Sequence, residues 1–331
     1  NCDGRSVAEG IAAGNQSQGL KHAVRLSSRD PARNGVMDSF RSLLEDRIGT
    51  ATGRPFAVRQ YHPMSGGCIN RAWRVSDGKQ DYFVKAHATA GLPMFEAEAA
   101  GLAELAATST VRVPAPICHG VSGGQAYLVL EYLLLGGGHS KAMENLGRQL
   151  AMLHRQPRAW FGWHWDNTIG STPQPNGCRD DWIEFWRERR LGFQLALAAA
   201  NGQGGVLQRR GEELLTRLDG LFVGYRPIPV LVHGDLWGGN VGCTVEGESV
   251  MFDPAVYYGD RETDLAMTEL FGGFSERFYA AYREILPLDA GYPQRRTLYN
   301  LYHILNHLNL FGGGYRAQAE NMMASLLAEL R

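Results

Sequence analysis

The stretch LVHGDLWGGNV, residues 231–241, follows an apolar run from Pro229 and sets His233, Asp235 and Asn240 on a backbone broken by three glycines. Four residues separate Asp235 from Asn240, enough for a loop to fold back so that the carboxylate faces a hydroxyl nucleophile while the amide oxygen reaches a metal. Thirteen residues after Asn240, the apolar segment VMFDPA delivers Asp253 at the end of a strand. A carboxylate and an amide oxygen placed this way suit Mg²⁺, a hard cation that takes oxygen ligands and few protein contacts when it sits among nucleotide phosphates. Phosphoryl transfer passes through a loose transition state served by positioning and charge neutralisation, so one base, one metal cage and one lysine suffice.

The lysine is sought upstream, where the chain reads as strands. FAVRQYHPM and RAWRVSD flank Ser65-Gly66-Gly67-Cys68-Ile69-Asn70, and GKQDYFVKAHA alternates toward Lys85, which predicts a three-stranded meander with a glycine turn at its first corner. A helix follows in MFEAEAAGLAELAA. There Leu102 and Leu105 lie four and seven residues after Glu98, which puts Glu98 on the buried face and Glu96 elsewhere. VRVPAPICHGV and QAYLVLEYLL give two further strands before Gly136-Gly137-Gly138, and the remainder is mostly helical, with three helices expected beyond residue 262. Lys85 and Glu98 can then pair across this lobe and aim an ammonium at a phosphate, with the turn at residues 65–67 offering backbone N–H groups. A surface lysine and an ordinary hairpin turn remain the alternative reading of those two features alone.

Composition bounds the rest. At 331 residues the chain exceeds the size at which single cores usually divide, so two lobes are expected. Lys and Arg total 33 against 34 Asp and Glu, leaving no electrostatic footprint for nucleic acid or an anionic membrane. Five cysteines are scattered singly, which argues for a reducing compartment, the cytoplasm, without structural disulfides. No apolar run approaches the roughly 18 residues of a membrane span. Residues 1–36 are rich in Gly, Ser, Asn, Gln and Arg and lack a sustained period, so they read as a disordered extension ahead of Met37, which would serve as a start. A targeting peptide is disfavoured because the segment carries acidic residues and no amphipathic arginine stripe.

YHPMSGGCINRAWRV, YFVK, MFEAEAAGL, LVHGDLWGGNV and FDPAVYYGDRETDLAM together resemble the fructosamine kinase (ketosamine kinase) family, a branch of the aminoglycoside and choline phosphotransferases. The resemblance runs from about Met37 to the C-terminus. Trp237 within HGDLWGGN, and STPQPN followed by DDWIEFWRERRLGFQLALA, mark this branch. It implies an α+β, bilobal, protein-kinase-like fold: a five-stranded antiparallel nucleotide-binding lobe with one helix over residues 37–135, and a helical lobe with the catalytic loop and substrate site over residues 136–331. It also implies transfer of the ATP γ-phosphoryl group to the 3-hydroxyl of a ketoamine, free or carried on a glycated protein lysine. Asp235 would then be the base and Asn240 and Asp253 the Mg²⁺ ligands. Lys85 would hold phosphates, oriented by Glu98, with Ser65, Gly66, Gly67 and Cys68 as the phosphate loop and Glu131, Tyr132 and Leu133 beside adenine. An aminoglycoside- or choline-type acceptor is the alternative. The segment 176–190 sets Arg179, Arg187, Arg189 and Arg190 against four acids, so the acidic excess a polycation needs is missing.

Other residues carry two readings. Asp264 is either an acid at a helix N-terminus or a brace for the catalytic loop. His154 suits a helix C-terminus, and His303 with His307 suits a buried helix better than a metal. Trp160, Trp163, Trp165, Trp182 and Trp186 read as core, with one of them available to a sugar face. Cys68 is either a reactive thiol on the phosphate loop, able to link two chains of an otherwise monomeric protein, or a small packed residue.

Overall fold

The computed structural model describes residues 31–64, 70–137 and 140–330, with the backbone alone at 31–38 and 140. The N-terminal lobe is a sheet in the order β1-β2-β3-β5-β4, antiparallel throughout. Its strands are β1 (Gln60–Met64), β2 (Arg71–Ser76), β3 (Asp81–Ala88), β4 (Pro116–Ser122) and β5 (Gln125–Glu131). Side-chain alternation assigns each face of this sheet to a different helix. Val75, Tyr82, Val84, Tyr127 and Val129 pack with Phe40, Leu44 and Ile48 of α1 (Pro31–Thr52). Ala126, Leu128 and Leu130 point the other way and join the core that holds Phe95, Leu102 and Leu105 of α2 (Leu92–Ala107).

The sheet therefore carries two helices where one was expected. The amphipathic run after Met37 is part of α1, and α1 begins at Pro31, ahead of the expected end of the extension. Proline suits a first helical position, where its missing N–H is an orphan anyway. Residues 1–30 lie outside the described residues.

After the strap at 132–137 comes the helical lobe. It contains α3 (Ser140–Leu153), the hairpin β6 (Asn167–Ile169) with β7 (Thr172–Gln174), and α4 (Trp182–Phe185), which continues through a π-helical segment Trp186–Leu191 into α5 (Gly192–Ala200). α6 (Val206–Arg217) follows. Four short strands, β8 (Val230–Val232), β9 (Val241–Cys243), β10 (Ser249–Met251) and β11 (Tyr257–Gly259), pair as β8 with β11 and β9 with β10. Beyond residue 262 the described residues form four helices, not three: α7 (Glu262–Leu270), α8 (Glu276–Ile285), α9 (Tyr292–Phe311) and α10 (Tyr315–Glu329). Gly272 and Gly273, at φ 95° and 73°, end α7 in a left-handed turn that a continuous apolar pattern hides.

The lobes are tied together beside the site. A Cβ on Gly101 of α2 would lie 2.9 Å from Val256 Cγ2, so the helix rests directly on the chain leaving Asp253. Glu104, one turn further on, accepts hydrogen bonds from Trp163 Nε1 at 2.7 Å and Tyr258 OH at 2.6 Å. No helix among the described residues is long and apolar enough to cross a membrane.

Candidate active site

Lys85 lies on the α2 face of β3, opposite in direction to Val84 and Ala86, and is 6% exposed. Its Nζ donates to Glu98 Oε1 at 2.6 Å and to Asp253 Oδ1 at 2.6 Å. Burial alone would lower the ammonium's pKa, but the two carboxylates outweigh it and hold Lys85 above its ordinary value, so it stays charged. The surface-lysine reading is thereby excluded.

The loop that carries Asp235 leaves β8 through His233 and Gly234. Gly234 sits at φ 81°, and a Cβ there would stand 2.1 Å from the Ala255 carbonyl oxygen, so two constraints require glycine. The buried carboxylate of Asp264 accepts from the backbone N–H of His233 at 2.7 Å and of Gly234 at 2.9 Å. Asp264 is in the first turn of α7, so one carboxylate fills both places proposed for it. Behind it His154, 3% exposed, lies with Nε2 3.3 Å from Asp264 and Nδ1 2.9 Å from Tyr282 OH. The His233 ring has a defined orientation: Nδ1 accepts from Asp235 N–H at 3.3 Å, leaving Nε2 to donate to Phe252 O at 3.1 Å. Burial lowers its pKa, and the ring is a neutral spacer between the loop and the strand carrying Asp253.

Asn240 donates from Nδ2 to Asp235 O at 2.9 Å and Asp235 Oδ2 at 3.1 Å. Its amide carbonyl therefore faces away from the Asp235 carboxylate. Asp235 is half-buried, and burial followed by the charge of Asp253 pushes its carboxyl up to about 7. Asp253 adopts φ 55°, a left-handed conformation that few non-glycine residues take. Its neighbours are fixed on both sides: Phe252 N donates to Asn240 O at 3.0 Å and Ala255 N to His233 O at 2.9 Å.

A polar cluster that the sequence left without a role completes this clamp. Gln174 Nε2 donates to Ala255 O at 3.0 Å and Asn167 Nδ2 to Val256 O at 2.9 Å. Gln174 is in turn held by Tyr302 OH at 2.7 Å. Arg190, counted from sequence as a rim charge, is buried with its guanidinium 4.1 Å from the Tyr257 ring centre and donates to Asn176 Oδ1 at 2.7 Å. The signal available was STPQPN itself, whose amides sit on a hairpin beside a predicted helix.

The strap after β5 bonds to the hairpin of β9: Gly136 N donates to Cys243 O at 2.8 Å and Val245 N to Leu134 O at 3.1 Å. Glu131 turns its carboxylate to Arg112 and to Ala115 N–H, and Tyr132 lies under the Arg74 guanidinium at 5.0 Å. Ser65, Gly66, Gly67 and Cys68 lie outside the described residues. Trp163, Trp182 and Trp186 are buried core, whereas Trp165 is 54% exposed but lines a cavity of about 900 Å³ with Glu96 and His119 on the outer side of α2, away from Asp235. Trp237, whose backbone N–H donates to Asp235 O at 3.2 Å, is half-buried. His303 is buried and His307 Nδ1 lies 2.8 Å from His303 O, a packed helix as expected.

The model of the fructosamine kinase family matches residues 41–329. This chain belongs to that family. A relative named "Probable ketoamine kinase", from Synechocystis sp., is 50% identical over 288 residues, covering 86% of this chain and 96% of its own. A chloroplastic protein-ribulosamine 3-kinase of Arabidopsis thaliana is 39% identical over 312 residues, covering 93% and 91%. Among solved structures, one named "Putative fructosamine-3-kinase" from Haemophilus somnus superposes with TM-score 0.81 at 28% identity, covering 89% of this chain and 99% of that one. The bilobal kinase-like fold expected for fructosamine kinases is the fold found.

Proposed function

We propose that the protein transfers the γ-phosphoryl group of ATP to the 3-hydroxyl of a ketoamine, either a small molecule or a sugar adduct on a protein lysine. The observation that carries this reading is that Lys85, Glu98, Asp235, Asn240 and Asp253, from four separate segments, meet where the two lobes join. Lys85 holds the α and β phosphates and Glu98 keeps its ammonium in place. Ser65 to Cys68 would supply backbone N–H groups to the phosphates, and adenine would sit beside Glu131, Tyr132 and Leu133.

Asp235 accepts the proton of the acceptor hydroxyl as that oxygen bonds to the γ-phosphorus and the bond to the β-phosphate oxygen breaks, leaving ADP. A carboxyl near 7 is suited to this, since a base poised near the working pH combines availability with driving force. The donor set fits Mg²⁺: one carboxylate 48% exposed and one amide oxygen turned away from its partner. Among the described residues no cluster of three His, Cys, Asp or Glu could cage a metal alone, in keeping with an ion that relies on phosphate oxygens. Bound there by Asn240 and Asp253, Mg²⁺ would neutralise charge on the transferring phosphoryl group.

The names of the relatives support a ketoamine acceptor over an aminoglycoside or choline. A reducing compartment suits the scattered cysteines, the cytoplasm in the simplest case. The test is phosphorylation of a panel of ribulosamines, erythrulosamines and fructosamines with ATP and Mg²⁺, with the position of the new phosphate read by NMR. Turnover of a choline or an aminoglycoside in place of every ketoamine would overturn the assignment.

A further inference from the structure

An aromatic ridge starts at the catalytic loop and leaves it along the helical lobe. Trp237, two residues after Asp235, is half-buried, and its ring meets Phe271 edge to face at 6.2 Å. Phe271 stands 5.0 Å from His307, and His307 stands 5.5 Å from Phe311 and 5.2 Å from Tyr315. Two of these rings face solvent, Phe271 at 37% and Phe311 at 51% exposed. Most other exposed large apolar residues, such as Val121, Met152 and Val223, are aliphatic and scattered, which is normal for a protein surface. Here exposed rings are joined to one another and to the loop that carries the base.

The ridge is fixed relative to Asp235. Phe271 directly follows α7, the helix whose Asp264 holds the backbone of His233 and Gly234. His303, His307 and Phe311 lie four residues apart on α9, one above another on one helix face. His307 is kept below its ordinary pKa by burial, so the ridge presents a neutral apolar surface at physiological pH.

A ketoamine has two ends, a sugar whose hydroxyl must reach Asp235 and an amine that carries the rest of the molecule. Trp237 is two residues from Asp235 in the chain, and the rings from Phe271 to Phe311 extend from it to solvent-exposed positions, a surface open to the amine side of a bound ketoamine. We infer that Phe271, His307 and Phe311 form the subsite for the amine portion of the ketoamine and select acceptors whose amine carries an apolar or aromatic group. This rests on the ketoamine kinase reading above.

The test compares one ketose attached to methylamine with the same ketose attached to benzylamine, using wild type, Phe271→Ala, Phe311→Ala and the double variant. Wild type should favour the benzyl compound in kcat/KM. Each alanine should reduce that preference about tenfold, the scale expected for losing part of a buried phenyl contact. The loss should appear in KM for the ketoamine and leave KM for ATP in place, and Phe271→Leu and Phe311→Leu should retain part of the preference. Equal kcat/KM for the two compounds in wild type, or an unchanged ratio in the double variant, would overturn the subsite. Binding of both compounds, read from Trp fluorescence without turnover, separates the two claims. A wild type that binds the benzyl compound through these rings yet transfers no phosphate refutes the kinase assignment and upholds the subsite.

Discussion

Lys85 and Asp253, 168 residues apart in sequence, meet across the two lobes with Nζ 2.6 Å from Oδ1, while Glu98 holds the same ammonium at 2.6 Å from the other side. The ammonium thus couples the sheet, α2 and the strand carrying the metal-binding candidate. Removing it leaves Glu98 buried without its cation, and breaking such a pair typically costs about 3–5 kcal/mol. Lys85→Met is therefore expected to lower the melting temperature as well as ATP affinity. An equilibrium denaturation curve identical to wild type would show that the pair contributes nothing to the fold.

Asp235 should give the reaction its pH dependence. With its carboxyl pushed up to about 7, kcat/KM should fall on the acid side with an apparent pKa near that value. Asp235→Asn should lower turnover by roughly 10²-fold or more and abolish that limb. The stability effect runs the other way. A carboxyl raised above its unfolded value favours the fold below the unfolded pKa and loses that advantage as pH rises through about 7. Asp235→Asn should therefore be more stable than wild type at pH 8, with the difference closing by pH 5. Melting curves at the two pH values, showing the reverse order, would remove the strained-base account.

Much of this site could be read from sequence because its chemistry is encoded in short segments. Asp235, Asn240 and Asp253 stand on loops after apolar strands, and the buried-face position of Glu98 allowed a pairing with Lys85, while the surface-lysine alternative stayed open until Lys85 was found buried between Glu98 and Asp253. What was not legible depends on contacts between distant segments. Nothing local in STPQPN says that Gln174 holds the Ala255 carbonyl, and nothing in WRERRL says that Arg190 is buried against Tyr257. An arginine among eight charges reads as solvated until a ring and a carbonyl are found around it. The tryptophan cluster shows the other case: aromatic density marks a core, and Trp163, Trp182 and Trp186 are buried as that density implies. The helices after residue 262 were undercounted because two glycines interrupt an apolar pattern that otherwise runs on.

Asp253→Ala separates metal binding from the structural tie to Lys85. Loss of a charged ligand should abolish the Mg²⁺ dependence of ATP binding. Alanine also disfavours the left-handed conformation at φ 55°, whereas Asn tolerates it, so Asp253→Asn is the control that keeps the backbone and removes the charge. Calorimetry of ATP with and without Mg²⁺ should show weak, metal-independent binding for both variants. Intact Mg²⁺-dependent affinity in Asp253→Asn would make this residue a partner of Lys85 and nothing more.

Asp264 is buried beneath the loop that carries Asp235, and it should be the most damaging residue to change. It is 1% exposed, and its two oxygens accept the N–H groups of His233 and Gly234 and a contact from His154. Burial alone would raise its pKa, but the His154 hydrogen bond and the His233 contacts outweigh it and hold the carboxyl below its ordinary value. By linkage, a depressed pKa contributes stability above the unfolded value of the carboxyl, and that stability is lost as pH falls through the lower folded value. Asp264→Ala strands two buried backbone donors and should cost about 2–6 kcal/mol at pH 7, from roughly 1–3 kcal/mol for each unsatisfied group. Asp264→Asn should also fail, because its amide can offer an oxygen to only one of the two N–H groups and turns a donor toward the other. The gap between wild type and Asp264→Asn should narrow only as the pH drops below the ordinary carboxylate range. At a temperature where Asp264→Asn stays folded, ATP affinity should persist, since Lys85 and Asp253 are untouched, while turnover falls because Asp235 has lost the backbone that aims it. Turnover equal to wild type in that folded variant would reduce Asp264 to a helix-terminal acid.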